Sequence, residues 1–107
     1  MHKYELYVPD RYIDGSVTKS FSDINGMIDN IANTLIKSFN ISGLSIRKEV
    51  GYYKLKTGAI SKMNNRVLYF FSDFDCRLGI VNYCNTLKLQ LKQETILVVC
   101  DGVAILC

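Results

Sequence analysis

Leu44-Ser45-Ile46-Arg47-Lys48-Glu49-Val50-Gly51-Tyr52-Tyr53-Lys54-Leu55 decides the fold. Leu44, Ile46, Lys48 and Val50 alternate with Ser45, Arg47 and Glu49, the period of two that puts successive side chains on opposite faces of a strand. Gly51 interrupts the alternation and reads as a bulge or bend, after which Tyr53 and Leu55 resume it. Thr57-Gly58 and Asn64-Asn65 bracket a connection to Arg66–Phe71, whose β-branched and aromatic residues predict a second strand covered on both faces. The two strands form a hairpin in the middle of the chain.

What flanks the hairpin sets its context. Upstream, Ile24, Met27, Ile28, Ile31, Leu35 and Phe39 recur at three- and four-residue steps, the mark of a helix with one apolar face. Ser22 or Asp23 can cap its start, and Asn40 and Gly43 end it, since both tolerate left-handed backbone. Before that helix, Lys3–Val8 alternates, with Tyr4, Leu6 and Val8 on one face, until Pro9 ends the strand. Asp10–Ser20, charged and aperiodic, reads as a surface loop. Downstream, Ser72-Asp73-Phe74-Asp75 resembles a capping box before a helix whose buried stripe is Ile80, Cys84, Leu87 and Leu91. Thr95–Cys100 is a strand, and Asp101-Gly102 is a two-residue hairpin turn into Val103–Cys107. The order predicts one α+β domain over residues 1–107, of ferredoxin-like split βαβ plan (βαββαβ). Two helices lie on one face of an antiparallel sheet, with a C-terminal hairpin or strand extension.

Of the 107 residues, 49% are hydrophobic and 21% charged, with one Pro, four Cys and no Trp, which excludes a disordered chain. The longest apolar runs, Val67–Phe71 and Ile96–Cys100, fall far short of the ~20 residues that cross a bilayer. Met1-His2-Lys3-Tyr4-Glu5 has no apolar signal core, so a cytoplasmic protein with reduced thiols is expected.

The net charge of +3 is unevenly spread. Residues 47–66 carry six cations, Arg47, Lys48, Lys54, Lys56, Lys62 and Arg66, against the single acid Glu49, while the rest of the chain is slightly acidic. Such a basic arm attracts phosphates, and Tyr52 and Tyr53 add rings on which a base can stack. The competing account is structural: exposed strands carry lysines that discourage edge-to-edge pairing, and tyrosine is a common strand residue. Lys48 falls on the face of Ile46 and Val50, so its ammonium must snorkel, lie beyond the helices or meet an acid. Glu49 can orient Arg47 or Arg66 for an anion, bond a ligand hydroxyl, or simply pair across strands. A sheet face left open opposite the helices would present Tyr7 and Tyr52 on an apolar surface that invites dimerisation or a ligand.

Catalytic signatures are missing. The single His, His2, stands at a terminus expected to fray, so no Ser-His or Cys-His pair can form. Cys76, Cys84, Cys100 and Cys107 lack C-x-x-C spacing and read as buried thiols rather than zinc ligands. Asp73, Asp75 and Asp101 could hold Mg²⁺, yet each already has a helix-start or turn role. The glycines are scattered, with no phosphate-loop pattern. No catalytic residue, metal or cofactor is therefore assigned.

Glu5-Leu6-Tyr7-Val8-Pro9, Ile41-Ser42-Gly43-Leu44-Ser45, Gly51-Tyr52-Tyr53 with Gly58, Arg66-Val67-Leu68 and Gln93-Glu94-Thr95-Ile96-Leu97-Val98 together resemble a family of small ferredoxin-like single-domain proteins of unknown function, found in bacteria and on phages and plasmids. Where that family has an acid in the basic segment before Arg66, this chain has Lys62-Met63-Asn64-Asn65. The resemblance implies a site around Glu49, Gly51, Tyr53 and Arg66, which overlaps the basic arm. The abundance of Asn, Ile and Lys fits low-GC phage or mobile-element coding.

The functional expectation is a non-enzymatic, oligomeric binding protein that captures a phosphate-bearing nucleotide, with a possible anti-defence role. Its site residues would be Arg47, Lys48, Glu49, Tyr52, Tyr53, Lys54, Lys56 and Arg66. Two other readings compete with it. An inhibitor or regulator of a host protein would use the open face or the Asp10–Ser20 segment, and a nucleic-acid binder would lose affinity steeply with salt.

Overall fold

Tyr4, Leu6 and Val8, the apolar face of the first strand, are all buried and belong to one core cluster with residues of both helices. The computed structural model describes residues 1–15 and 17–107. Its elements are β1 (His2–Pro9), β2 (Arg11–Asp14), β3 (Val17–Ser20), α1 (Ile24–Phe39), β4 (Ser45–Lys54), β5 (Ile60–Ser72), α2 (Arg77–Gln90), β6 (Leu97–Cys100) and β7 (Val103–Leu106). Five strands form one sheet in the order β4-β5-β1-β6-β7, every pairing antiparallel, and β2 and β3 form a separate hairpin. The architecture is α+β and compatible with the ferredoxin-like plan, from which it departs by the added edge strand β7 and the β2–β3 hairpin.

Both helices pack on the sheet face of Tyr4, Leu6 and Val8. Ile28, Ile31 and Leu35 of α1 and Ile80, Cys84 and Leu87 of α2 meet Leu68, Phe70, Val98 and Cys100 there. Asp23 starts α1 by accepting the Gly26 N–H on its carboxylate at 3.0 Å, and Asn40 ends it with φ 50°, satisfying helix ends that otherwise leave amides and carbonyls unpaired. The Asp101-Gly102 turn has φ 51° and 80°, the two positive values that a tight hairpin needs to match strand twist.

Several expectations are corrected. Most of Asp10–Ser20 is the β2–β3 hairpin rather than a loop, with Lys19 and Asp14 paired at 2.7 Å; Ser16 lies outside the described residues. Tyr12-Ile13 and Val17-Thr18 around Asp14-Gly15 carried that signal, too short to register as periodicity. The second strand of the central hairpin begins at Ile60, not Arg66, so Asn64 and Asn65 are strand residues. Pairing runs unbroken from Ser45↔Tyr69 to Lys54↔Ile60, with Gly51 opposite Met63, so Gly51 is no bulge. Helix α2 starts at Arg77, not at the proposed box. Ser72 Oγ accepts the Phe74 N–H at 3.1 Å and Asp75 Oδ1 accepts that of Arg77 at 3.0 Å, while the Tyr4 hydroxyl accepts the Cys76 N–H at 2.7 Å. His2 is held within β1 rather than frayed: its Nδ1 lies 2.7 Å from Asp101 Oδ2, and Asp101 Oδ1 accepts the Lys3 N–H at 2.8 Å.

Candidate functional site

The sheet face turned away from the helices carries the site. Alternation places Lys3, Glu5, Tyr7 and Pro9 of β1 there, beside Asn65, Val67 and Tyr69 of β5 and Arg47, Glu49, Gly51 and Tyr53 of β4. Charges are paired at one end of this face. Arg47 donates from Nη2 to Glu5 at 3.2 Å and to the Tyr7 hydroxyl at 3.3 Å, and from Nε to Glu49 at 3.2 Å. Its guanidinium also stacks over Tyr69, 5.2 Å from the ring centre, and Lys3 closes the group 3.1 Å from Glu5. Burial opposes ionisation of Glu5, but hydrogen bonds from Lys3 and Arg47 outweigh it and hold the carboxyl below its ordinary range. Burial, with Glu49 and Glu5 nearby, pushes the Tyr7 hydroxyl up, so it stays protonated at neutral pH.

At the other end lies a cleft of about 250 Å³. Tyr7 and Pro9 form one wall, Tyr53, Lys54 and Leu55 a second, and the segment Gln93–Leu97 with Leu106 a third, over a floor of Met63 and Asn65. Its volume falls just below the ~300–1,000 Å³ typical of small-molecule sites. Gln93 anchors the third wall by donating its amide to the carbonyls of Arg11 at 2.6 Å and Leu91 at 3.0 Å.

Gly51 shapes the cleft. A Cβ there would come within 2.5 Å of the Tyr53 hydroxyl and 2.6 Å of its ring, because Tyr53 folds back along the strand over the space that glycine leaves. The folded ring delivers its hydroxyl to Asn65, whose amide nitrogen bonds it at 2.6 Å. Asn65 is only 3% exposed, on a central strand. A primary amide offers two N–H donors and a carbonyl with two lone pairs, so whichever way it is turned one donor and one acceptor remain after the tyrosine bond. Asn65 is one of the residues that line the cleft, and among the described residues the one sealed side-chain polar atom without a partner is Arg11 Nε.

The eight sequence candidates divide between two faces and a turn. Tyr53 and Lys54 line the cleft, and Arg47 and Glu49 belong to the ion network beside it. Lys48, Tyr52 and Arg66 alternate to the helix side, and Lys56 sits in the β4–β5 turn. Asn65, Met63, Tyr7 and Gln93–Leu97 were not among them. In the sequence Lys62-Met63-Asn64-Asn65 reads as a connection, and Gln93-Glu94-Thr95 enters only as part of the family resemblance, not as a site. All four cysteines are free, and burial pushes the Cys84 and Cys100 thiols up, which leaves both as inert core groups. Among the described residues no three of His, Cys, Asp and Glu converge on a point, and no helix is long and apolar enough to cross a membrane.

No family model matches the chain, and no curated protein does. Two solved structures share its fold. A phage SAM lyase in complex with S-methyl-5′-thioadenosine matches at TM-score 0.71 and 14% identity, over 99% of this chain and 89% of that one. A phage SAM lyase in the apo state matches at TM-score 0.65 and 16% identity, over the same shares of the two chains. These matches overturn the expectation of a protein without catalysis: the architecture that this chain shares almost end to end carries an enzyme.

Proposed function

We propose that the chain binds S-adenosylmethionine in the cleft between Tyr7, Tyr53 and Gln93–Leu97 and cleaves it, releasing S-methyl-5′-thioadenosine. The observation that carries this reading is the near-complete overlap with the phage lyase fold at TM-score 0.71. The cleft's chemistry supports it. Tyr7 and Tyr53 offer ring faces to a sulfonium cation, Glu94 offers a carboxylate, and Asn65 retains the donor and acceptor that the N6–H and ring nitrogen of an adenine require. The ligand is thus a nucleoside without phosphate, and the basic arm is not its anchor.

The balance of the reaction accounts for the missing catalytic signature. The Cγ–S bond breaks, sulfur keeps the electron pair and becomes the neutral thioether, and the four-carbon fragment completes its valence by closing its own carboxylate onto Cγ as a lactone. No water, base or metal takes part. Nucleophile and leaving group start in one molecule, so holding the substrate folded is the main contribution a site can make. The closure also consumes a carboxylate and a sulfonium, so the transition state carries less charge than the bound substrate. Walls of Pro9, Leu55, Met63, Ile96, Leu97 and Leu106 therefore favour it.

Incubation of the purified protein with S-adenosylmethionine in the presence of a chelator, with products read by mass spectrometry, tests the reading. S-methyl-5′-thioadenosine and homoserine lactone should appear, and Asn65→Ala should raise KM. Glu94→Gln should leave the lactone as product. An elimination product lost in Glu94→Gln would replace ring closure by base catalysis, and no thioadenosine product at all would overturn the proposal.

A further inference from the structure

The helix-side face of the β4–β5 hairpin lies outside the cleft. The helices cover this face as far as Leu68, which is fully buried opposite Ile46, and the hairpin runs on beyond them. Along the uncovered rows Lys48 pairs with Arg66, Val50 with Asn64 and Tyr52 with Lys62. Lys54 follows at the end that borders the cleft. None of Lys48, Lys54, Lys62 or Arg66 forms an ion pair among the described residues. Asp10 reaches the same stretch, but with a carboxylate oxygen on the Asn64 backbone N–H at 3.1 Å.

Two properties set this strip apart from ordinary edge protection. Lysines on an edge strand deter strand pairing, which explains Lys48 and Lys54 on β4. It does not explain Arg66, which stands on β5 between β4 and β1, opposite Lys48 on one side and Val8 on the other; Lys62 lies beyond the end of the β1 ladder at Asn65 and is paired with β4 alone. Like charges directly across a ladder, as Lys48 and Arg66 are, are unfavourable unless an anion comes between them. The strip is also apolar where it is not basic: Tyr52 is 68% exposed, Ile60 67% and Val50 53%. Cations flanking an exposed ring on a flat sheet are what an unpaired nucleic-acid strand needs, phosphates to the side and a base on the ring.

We infer that this strip, built from Lys48, Tyr52, Lys62 and Arg66, binds single-stranded nucleic acid on the side of the sheet opposite the cleft. A duplex would not reach the ring, because its bases are stacked inward. An acidic polypeptide would satisfy the cations but gain little from Tyr52.

Fluorescence anisotropy with a labelled oligothymidylate of about 15 nucleotides, at about 50 and about 200 mM salt, tests the assignment. Binding should weaken with salt at a slope of roughly −0.7 for each phosphate neutralised, or about −2 for three cations. Lys48→Glu with Lys62→Glu should lower affinity at least ~10-fold and flatten that slope. Tyr52→Ala should lower affinity ~5-fold or more with little change in slope. Binding of S-methyl-5′-thioadenosine, followed by thermal shift, should be unaltered in both variants, so the strip and the cleft succeed or fail separately. Should the double variant not fold, Tyr52→Ala and Lys62→Ala carry the test. Absence of oligonucleotide binding, or binding indifferent to all of these substitutions, overturns the inference. Equal competition by polyglutamate with no effect of Tyr52→Ala overturns it in favour of an acidic protein partner.

Discussion

Arg47 and Lys48 are neighbours on one strand and have opposite fates. Arg47 points to the open face and meets Glu5, Glu49 and the Tyr7 hydroxyl, all within 3.3 Å. Lys48 points to the other face, stands opposite Arg66 and forms no ion pair among the described residues. A cation already held by two carboxylates has little left for a ligand, whereas an unpaired one keeps its charge available. The alternation of a strand therefore turns one basic segment into a structural network on one side and a free charged surface on the other. The network braces the approach to the cleft, since Tyr7 belongs to both.

The sharpest way to break that contrast is charge reversal at the two positions. Arg47→Glu would crowd a third carboxylate against Glu5, whose side chain is 15% exposed, and Glu49. It should lower unfolding free energy in urea by about 1–3 kcal/mol, whereas Lys48→Glu should change it by less than about 0.5 kcal/mol. Equal effects would erase the distinction between the two faces.

A smaller change separates the cleft from the network. Gly51→Ala drives a methyl into the space that the Tyr53 ring occupies, so the ring swings out and its bond to Asn65 is lost. Because Tyr53 is 38% exposed and free to move, stability should fall by only about 1 kcal/mol. The KM for S-adenosylmethionine should rise far more than that loss would suggest. An unchanged KM would remove Tyr53 and Asn65 from the site.

The smallest effect is a pH signature of the network. The folded Glu5 carboxyl sits below its ordinary value of 4.5, so its ion pairs contribute fully above that pH and are lost as pH falls through the folded value. Urea titrations of wild type and Glu5→Gln should differ at neutral pH and converge on acidification below about pH 4.5. A difference that persists in acid would mean that Glu5 acts through packing instead.

Much of the fold is legible in the chain because local rules dictate it. Tyr4, Leu6 and Val8 alternate, Ile28, Ile31 and Leu35 recur at helical spacing, and Asp101-Gly102 supplies the positive φ of a tight turn. The site was harder to read. Asn65 follows another Asn, a pair that usually signals a turn, and only the pairing with β1 and β4 shows it to be a strand residue beneath Tyr53. Gly51 looked like a break in the strand because a sequence does not show which way a neighbouring ring folds. The proposed ring closure would need neither a nucleophile nor a base from the chain, since its nucleophile belongs to the substrate.

The sequence by itself determined the order of the two helices and the strands of the main sheet, the apolar faces that form the core, and the concentration of charge in residues 47–66. Those properties depend on residues close to one another in the chain. Only the tertiary structure decided that Arg47 meets Glu5 from a strand 42 residues away and that Tyr53 reaches Asn65 across the hairpin. It also brought Gln93–Leu97 to the side of Tyr7. Strand order and register set those contacts, and both are fixed by how the whole core packs rather than by any one segment.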